Sequence, residues 1–469
     1  MIADYLDRRE VGGYVAAVKD QLKAGTLNDQ APAAAAGIGR GSADQDPGAA
    51  AQAVLDALPD DDTGTASSGG ENVNAPFLSR DPMVSVLQTS LEAEARNNGL
   101  VREREPGGPF GHIVGVVECI EHRIDSILHP EKFSTDDPDW VTKIGQGTLD
   151  RIAKGNHPFN PTPAEYEVAD AAWRLVVVGD WGTGLPHACM VSRLMAAEVT
   201  DAIQRHLPVH VLHLGDVYYS GDPVEVQRRV LADGMWPVSA EQAAQGVTSW
   251  SLNGNHDMYC GGWGYFDTLL ADERFSHQHS PDGKPTSFFR IRTPAWDLVG
   301  LDTSWDPDPL SEGKSGVLAD PQADVVQGWG AEAQREGRKL MLLSHHQLVS
   351  AYDTGDIGTV LPDKLRPLLD GHQIAAWLWG HEHRCMGFEA VQGIPFVRCI
   401  GHGGIPVEQL QPPSAPIPSP GLWQETGTFE ENSLNWHKFG FAVLDFDGPQ
   451  AQIRYRDDDG TETRTESVT

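Results

Sequence analysis

Apolar runs at five places in this 469-residue chain each end in residues able to bind a metal ion or move a proton. They end at Asp180 in RLVVVGDWGTG, Asp216 in HVLHLGDVYYSG, Asn255 and His256 in TSWSLNGNHD, His345 and His346 in KLMLLSHHQ, and His381 with His383 in IAAWLWGHEHR. Oxygen and imidazole donors with no thiolate suit iron, manganese or zinc. A carboxylate has two oxygens and can bridge a pair of ions roughly 3.5 to 4 Å apart. Such a pair polarises a phosphoryl oxygen, lowers the pKa of a bound water to give hydroxide near neutral pH, and stabilises the leaving oxygen. The chemistry implied is phosphoester hydrolysis. Taken singly, a Gly-Asp after a strand is usually a turn and a lone histidine usually belongs to the core or the surface. Five such ends in succession make coincidence a poor explanation.

The elements that must position these residues follow from the same runs. Continuous apolar stretches read as fully buried strands, with the polar residue emerging at the C-terminal end. A helix over Met190–Ile203 separates the first two strands, and the spacing from Asp180 to Asp216 fits one βαβ unit. In open α/β sheets such strand ends lie side by side, so these residues converge in one cleft. The stretch 288–304 alternates as a hairpin does, with Asp302 a structural acceptor rather than a ligand. PFVRCIGHGG is a further strand, and His402 at its end is a candidate substrate contact. FGFAVLDFDGPQAQIRYRDDDG reads as a hairpin closing the second sheet, and residues 458–469 as a frayed tail.

Ahead of Trp173 the character differs. Val11, Tyr14, Val15, Val18 and Leu22 give a short helix within 1–24, and 25–78 is Ala-, Gly-, Asp- and Ser-rich, the composition of a disordered linker. Residues 79–155 read as a small helical unit whose last helix runs from about Asp139 to Lys154, with Gly155 closing it; 156–171 reads as a linker, and 172–457 as the main domain. A net charge of −32 opposes broad contact with nucleic acid or an anionic membrane, without excluding a local phosphate site built on metals. The five cysteines are odd in number and widely spaced, which fits reduced thiols. With no apolar signal segment at the N-terminus and no apolar run of about 18 residues, a cytoplasmic protein is expected.

GDWG at 179–182, GDVYY at 215–219, GNHD at 254–257, SHH at 344–346 and GHEH at 380–383 together resemble the ordered signatures of the calcineurin-like metallophosphoesterase superfamily, and most of all its purple acid phosphatase branch. The resemblance covers roughly residues 172–457. It implies a four-layer α/β/β/α sandwich, here with an N-terminal helical extension, and two metal ions. Much of the superfamily has a histidine where this chain has Gly182; in the purple acid phosphatase pattern a tyrosine, here Tyr219, takes its place, and a phenolate favours a trivalent ion. The resemblance thus implies an iron-preferring site of Asp180, Asp216, Tyr219 and His383. The second site, for iron, zinc or manganese, would be Asp216, Asn255, His345 and His381, so that Asp216 bridges. His256 is implied as the phosphate donor or leaving-group acid, His346 as a further catalytic candidate, and Asn255 and His256 as substrate contacts, alongside His402 from the strand end above. The expected activity is hydrolysis of a phosphomonoester or phosphodiester by metal-bound hydroxide, on a phosphorylated small molecule or nucleotide. The alternatives are a nucleotide or cyclic-nucleotide phosphodiesterase of the same superfamily, and a protein that binds a partner or itself through the N-terminal helices, with the phosphoesterase core as a regulated output.

Overall fold

The computed structural model describes residues 139–306, 315–352, 358–409, 415–431 and 434–468. The helix expected within 1–24, the linker over 25–78 and the helical unit before Asp139 lie outside them. Strand β2 (Ala172–Val178) shows how the layers arise. Its side chains alternate, with Val176 and Val178 facing one way and Leu175 and Val177 the other, and all four are fully buried. A strand covered on both faces must lie inside a stack of layers.

One sheet has the order β16 (Glu462–Val468), β15 (Gln450–Asp457), β14 (Gly440–Asp447), β2, β3 (Val209–His213), β4 (Thr248–Ser251). Within it β2, β3 and β4 are parallel, and β14 to β16 are antiparallel neighbours. The other sheet runs β1 (Ala164–Glu167), β5 (Phe289–Arg292), β6 (Trp296–Gly300), β7 (Lys339–Ser344), β8 (Ile374–Trp379), β10 (Phe396–Ile400), β9 (Cys385–Phe388), β11 (Gly421–Gln424). Here β6, β7, β8 and β10 are parallel, and β5 with β6 forms the hairpin expected near 288–304. The sheets face each other through Leu175, Val177, Leu212, Leu298, Met341 and Leu378.

Helices close the two outer faces. Helix α1 (Asp139–Lys154) precedes the sandwich, with Gly155 at φ +76° closing it. Helix α2 (Pro186–Gln204) starts on a proline in its first turn, where the missing N–H costs nothing. It packs Val191, Leu194, Met195 and Val199 over Val176 and Val178. Beyond β4 comes the short helix α3 (Asn255–Tyr259). On the other side α4 (Asp320–Glu336) ends at Gly337, in the left-handed region at φ +73°, and packs Val326 and Trp329 with Val299, Leu340 and Leu342. The result is an α/β/β/α stack, with β12 (Thr428–Glu431) and β13 (Leu434–His437) forming a separate antiparallel pair. Among the described residues no helix is long and apolar enough to cross a membrane.

The structure corrects three boundaries drawn from sequence. The hairpin over 440–457 belongs to the first sheet, not the second. Its inward set, Ala442, Leu444 and Phe446, fits the inter-sheet core, and Phe446 stacks on Trp173 at 3.9 Å. The supposed tail is strand β16, paired along β15 and tied in by Glu466, which accepts from Arg398 Nη2 at 2.8 Å and Tyr455 Oη at 3.0 Å. The supposed linker includes β1, paired in parallel with β5. Edge strands need only one apolar face, so both stretches read as too polar to be strands.

Two buried histidines on β3 give the fold a pH dependence. Burial, with His277 adding to it, holds His210 down to about 3, and burial does the same to His213. Their Nε2 atoms have no hydrogen-bond partner among the described residues. A histidine kept neutral in the fold but free to protonate when unfolded stabilises the fold above its ordinary value of 6.5 and progressively less as pH falls toward 3. The melting temperature is therefore expected to drop as pH is lowered from about 6.5 to 4. His210→Phe, which keeps a ring against Trp173, is expected to make that slope shallower in a thermal melt series.

Candidate metal centre

The C-terminal ends of β2, β3 and β4 in one sheet, and of β7 and β8 in the other, meet at one edge of the sandwich. Asp180, Asp216, Asn255, His345, His381 and His383 leave those ends. Two groups of donors result. Asp180, Asp216 and His383 form one and Asp216, His345 and His381 the other, with the ligand atoms in each group within 4.8 Å of one another. Asn255 joins the second, its Oδ1 lying 2.9 Å from His345 Nε2.

Asp216 is common to both groups. Its Oδ1 accepts the backbone N–H of His256 at 2.9 Å. Its Oδ2 lies 3.3 Å from His345 Nε2 in the second group and 3.1 Å from a tyrosine hydroxyl in the first. That tyrosine is Tyr218, where the sequence reading placed Tyr219. The Tyr218 hydroxyl also lies 2.9 Å from Asp180 Oδ1 and 2.9 Å from His383 Nε2. Tyr219 instead packs with Leu185 and Ile405, and Arg229 covers its ring at 5.5 Å. The motif spacing selects Tyr219, but neighbouring side chains in an irregular loop take different directions, and here the Tyr218 hydroxyl is the one directed at the donors.

The loops holding these donors are fixed from behind. Asp180, Asp216, His381 and His383 all have left-handed backbones, with φ of 56°, 76°, 68° and 49°. This conformation is uncommon for residues other than glycine and persists only where surrounding structure enforces it. Asp257 supplies part of that enforcement, its Oδ2 accepting from Asp216 N at 3.1 Å and Gly254 N at 2.8 Å. Asp257, the last residue of the GNHD motif, is thus an anchor of the Asp216 loop. Gly254 is required by close approach, because a Cβ there would lie 2.0 Å from Asp216 Oδ1. Glu225 accepts the N–H groups of Tyr219 and Ser220 at 2.6 and 2.8 Å and so fixes the tyrosine loop. No motif marked Glu225; the Asp-Pro-x-Glu capping pattern around it was the available signal.

The segment from α1 to residue 160 passes over these loops. Gly147 of α1 sits so close to Ser220 that a Cβ would meet Ser220 Cβ at 2.8 Å. Trp263 Nε1 donates to Gly155 O at 2.9 Å, His157 N to Gly261 O at 2.8 Å, and Trp305 Nε1 to His157 O at 2.8 Å. The expected helix thus packs directly behind the residues that carry the chemistry.

The donors suit cations. Burial keeps His383 down at about 3 and His381 well below its ordinary value, so both present neutral imidazole nitrogens, the form that ligates. At His345 burial pulls the same way, but the Asp216 carboxylate outweighs it and raises the ring to about 9. Burial, with the Asp180 and Asp216 carboxylates adding to it, pushes the Tyr218 phenol well up, so it stands beside them as a neutral hydrogen-bond donor.

Residues 174–385, which span all of these donors, match the family model for calcineurin-like phosphoesterase. Over those residues the chain is similar to that family. It is a phosphoric ester hydrolase, and the matched family implies a dinuclear metal site and a phosphorylated substrate. It is similar to tartrate-resistant acid phosphatase type 5 of Oryctolagus cuniculus, 24% identical over 311 residues that cover 63% of this chain and 90% of the relative. The Homo sapiens protein of that name is 23% identical, covering 62% and 90%. Among solved structures, a dimetal phosphatase from Danio rerio aligns with a TM-score of 0.41 at 14% identity, covering 64% of this chain and 99% of that one.

In this phosphoesterase the remaining candidates fall at different distances from the donors. His256 Nδ1 lies 2.6 Å from Tyr219 O and its Nε2 lies 3.9 Å from Asp216 Oδ2, placing the ring at the edge of the shared carboxylate. His346 stands 4.7 Å, ring to ring, from His381, with Nδ1 3.0 Å from Thr303 Oγ1. His402 is buried against Gly440, where a Cβ would meet its Nε2 at 2.6 Å, and no described contact ties its side chain to either donor group. Asp302 accepts from Asn253, Ser304 and Trp305, a structural role. Cys189, Cys260, Cys385 and Cys399 are buried.

Proposed function

We propose that this phosphoesterase hydrolyses phosphomonoesters with a purple acid phosphatase-like pair of metals, one of them iron. The observation that supports this reading is the sharing of Asp216 between two donor groups, one of which carries the Tyr218 hydroxyl. In this reading Asp180, Asp216, Tyr218 and His383 hold an iron ion, since a phenolate is a hard anionic donor. Asp216, Asn255, His345 and His381 hold iron, zinc or manganese. The bound cations supply the positive charge that polarises a phosphoryl oxygen and lowers the pKa of the attacking water.

The chain's own groups then handle orientation and protons. With Nδ1–H donated to the Tyr219 carbonyl, His256 presents Nε2 to the phosphate. As the water oxygen, one of its protons lost to solvent, bonds to phosphorus and the ester P–O bond breaks, the proton on Nε2 of the imidazolium form passes to the leaving oxygen; burial lowers the His256 pKa, so this form belongs to acid pH. Asn255, next to His256 in the chain and 2.9 Å from His345 Nε2, would contact a phosphate held between them. His346, beside His381, is the next closest imidazole for a phosphate oxygen.

Turnover of p-nitrophenyl phosphate and its bis-ester, with metals quantified in the same sample, tests the reading. The expected result is two metals per chain, iron among them, and faster hydrolysis of the monoester. Fully loaded protein that is faster on the bis-ester assigns a diesterase, and loaded protein inert on both contradicts the proposal.

A further inference from the structure

We infer that Tyr259 is a positioning residue for the second donor group, its hydroxyl setting which end of the Asn255 amide faces the metal; the inference rests on the two-metal reading above. Asn255 and Tyr259 are the first and last residues of α3, four apart, and therefore share a face of that turn. Asn255 Nδ2 donates to Tyr259 Oη at 3.1 Å, and this leaves Oδ1 as the atom 2.9 Å from His345 Nε2.

An amide is nearly symmetrical in shape but not in chemistry. One end is an acceptor with lone pairs, and the other carries two N–H donors. Rotated by half a turn, Asn255 would fill the same space and point its hydrogens at a cation, which cannot bind them. Asn255 is only 4% exposed, so the polar groups around it, not bulk water, decide its orientation. The Tyr259 hydroxyl is the partner seen at the nitrogen end. The same ring stands edge-on to His256 at 4.8 Å, so one side chain borders both residues that open α3. From behind, Gly147 of α1 comes within 3.4 Å of the Tyr259 carbonyl, measured from the position of a Cβ, which limits movement of the turn. Groups that orient a ligand from outside its coordination shell typically contribute about 10- to 100-fold in metal affinity.

The test uses the full chain, stripped by a chelator and titrated with Mn²⁺ or Zn²⁺ while bound metal is counted. Wild type is expected to take two equivalents. Tyr259→Phe, which removes one oxygen and keeps the ring against His256, is expected to hold the first equivalent as wild type does and the second about 10-fold or more weakly. In an Asn255→Ala background the same change is expected to add nothing. An unchanged second equivalent in Tyr259→Phe overturns the inference. So does loss of both equivalents, which would mean a general structural role, and so does an additive loss in the double variant. A wild-type chain that takes fewer than two equivalents overturns the two-metal reading itself, and the two failures are thereby distinguished.

Discussion

Asp216→Ala is expected to lose both metal equivalents at once and to lower kcat/KM by at least about a thousandfold, since the cations supply several kcal/mol of transition-state stabilisation. The reason is the position of a single atom. Asp216 Oδ2 lies within 3.3 Å of donors from both groups, while Oδ1 is engaged by the His256 backbone. Removing the carboxylate takes an anionic ligand from each group and also frees the N–H that holds His256 in place. Asp216→Asn keeps the shape but not the charge, so it separates electrostatics from packing. It is expected to fold with an unchanged circular dichroism spectrum and still to bind metal poorly. Elemental analysis of dialysed protein decides the matter. One equivalent retained at wild-type affinity in Asp216→Ala would show that Asp216 serves only one ion.

The second large effect separates two neighbours. If the phenol on the first donor group binds ferric iron, aerobically purified protein carries a visible tyrosinate-to-iron charge-transfer band. Tyr218→Phe is expected to abolish that band and to reduce activity by about a hundredfold or more, the scale on which removal of a group at the developing charge is felt. Tyr219→Phe is expected to keep the band, because its ring packs under Arg229 and its contribution to the site is its carbonyl, which substitution leaves in place. Loss of colour in Tyr219→Phe with colour retained in Tyr218→Phe would reverse the assignment. Iron-replete protein with no such band would remove the tyrosine from the site altogether.

The sequence and the structure part company at the same kind of place. Strand ends such as those after β3 and β8 were legible because a run buried on both faces is apolar throughout, and its abrupt stop marks a sheet edge. Edge strands β1 and β16 were not legible, since half their side chains meet water. Within the site, Asp180, Asp216, Asn255, His345, His381 and His383 stand out by type and spacing, and the structure brings them together. Tyr218 was missed because the motif spacing points to its neighbour Tyr219. Glu225, Asp257 and Tyr259 were hidden for a different reason. They act through hydrogen bonds to backbone or to another side chain, and such roles depend on loop geometry that residue type does not encode.

The left-handed backbones at Asp180, Asp216, His381 and His383 bear on how mutational data from this centre should be read. Each conformation costs about 1–3 kcal/mol that neighbouring contacts must offset. Tyr218 joins three of the four, since its hydroxyl lies against Asp180, Asp216 and His383, and Asp180 Oδ2 accepts the N–H of His381 at 2.7 Å. Removing any one member allows the others to relax toward extended backbone. Double-mutant cycles between Asp180 and His383 should therefore give a coupling energy comparable to either single loss. The centre would then behave as one thermodynamic unit, and the effects of its residues could not be added one at a time.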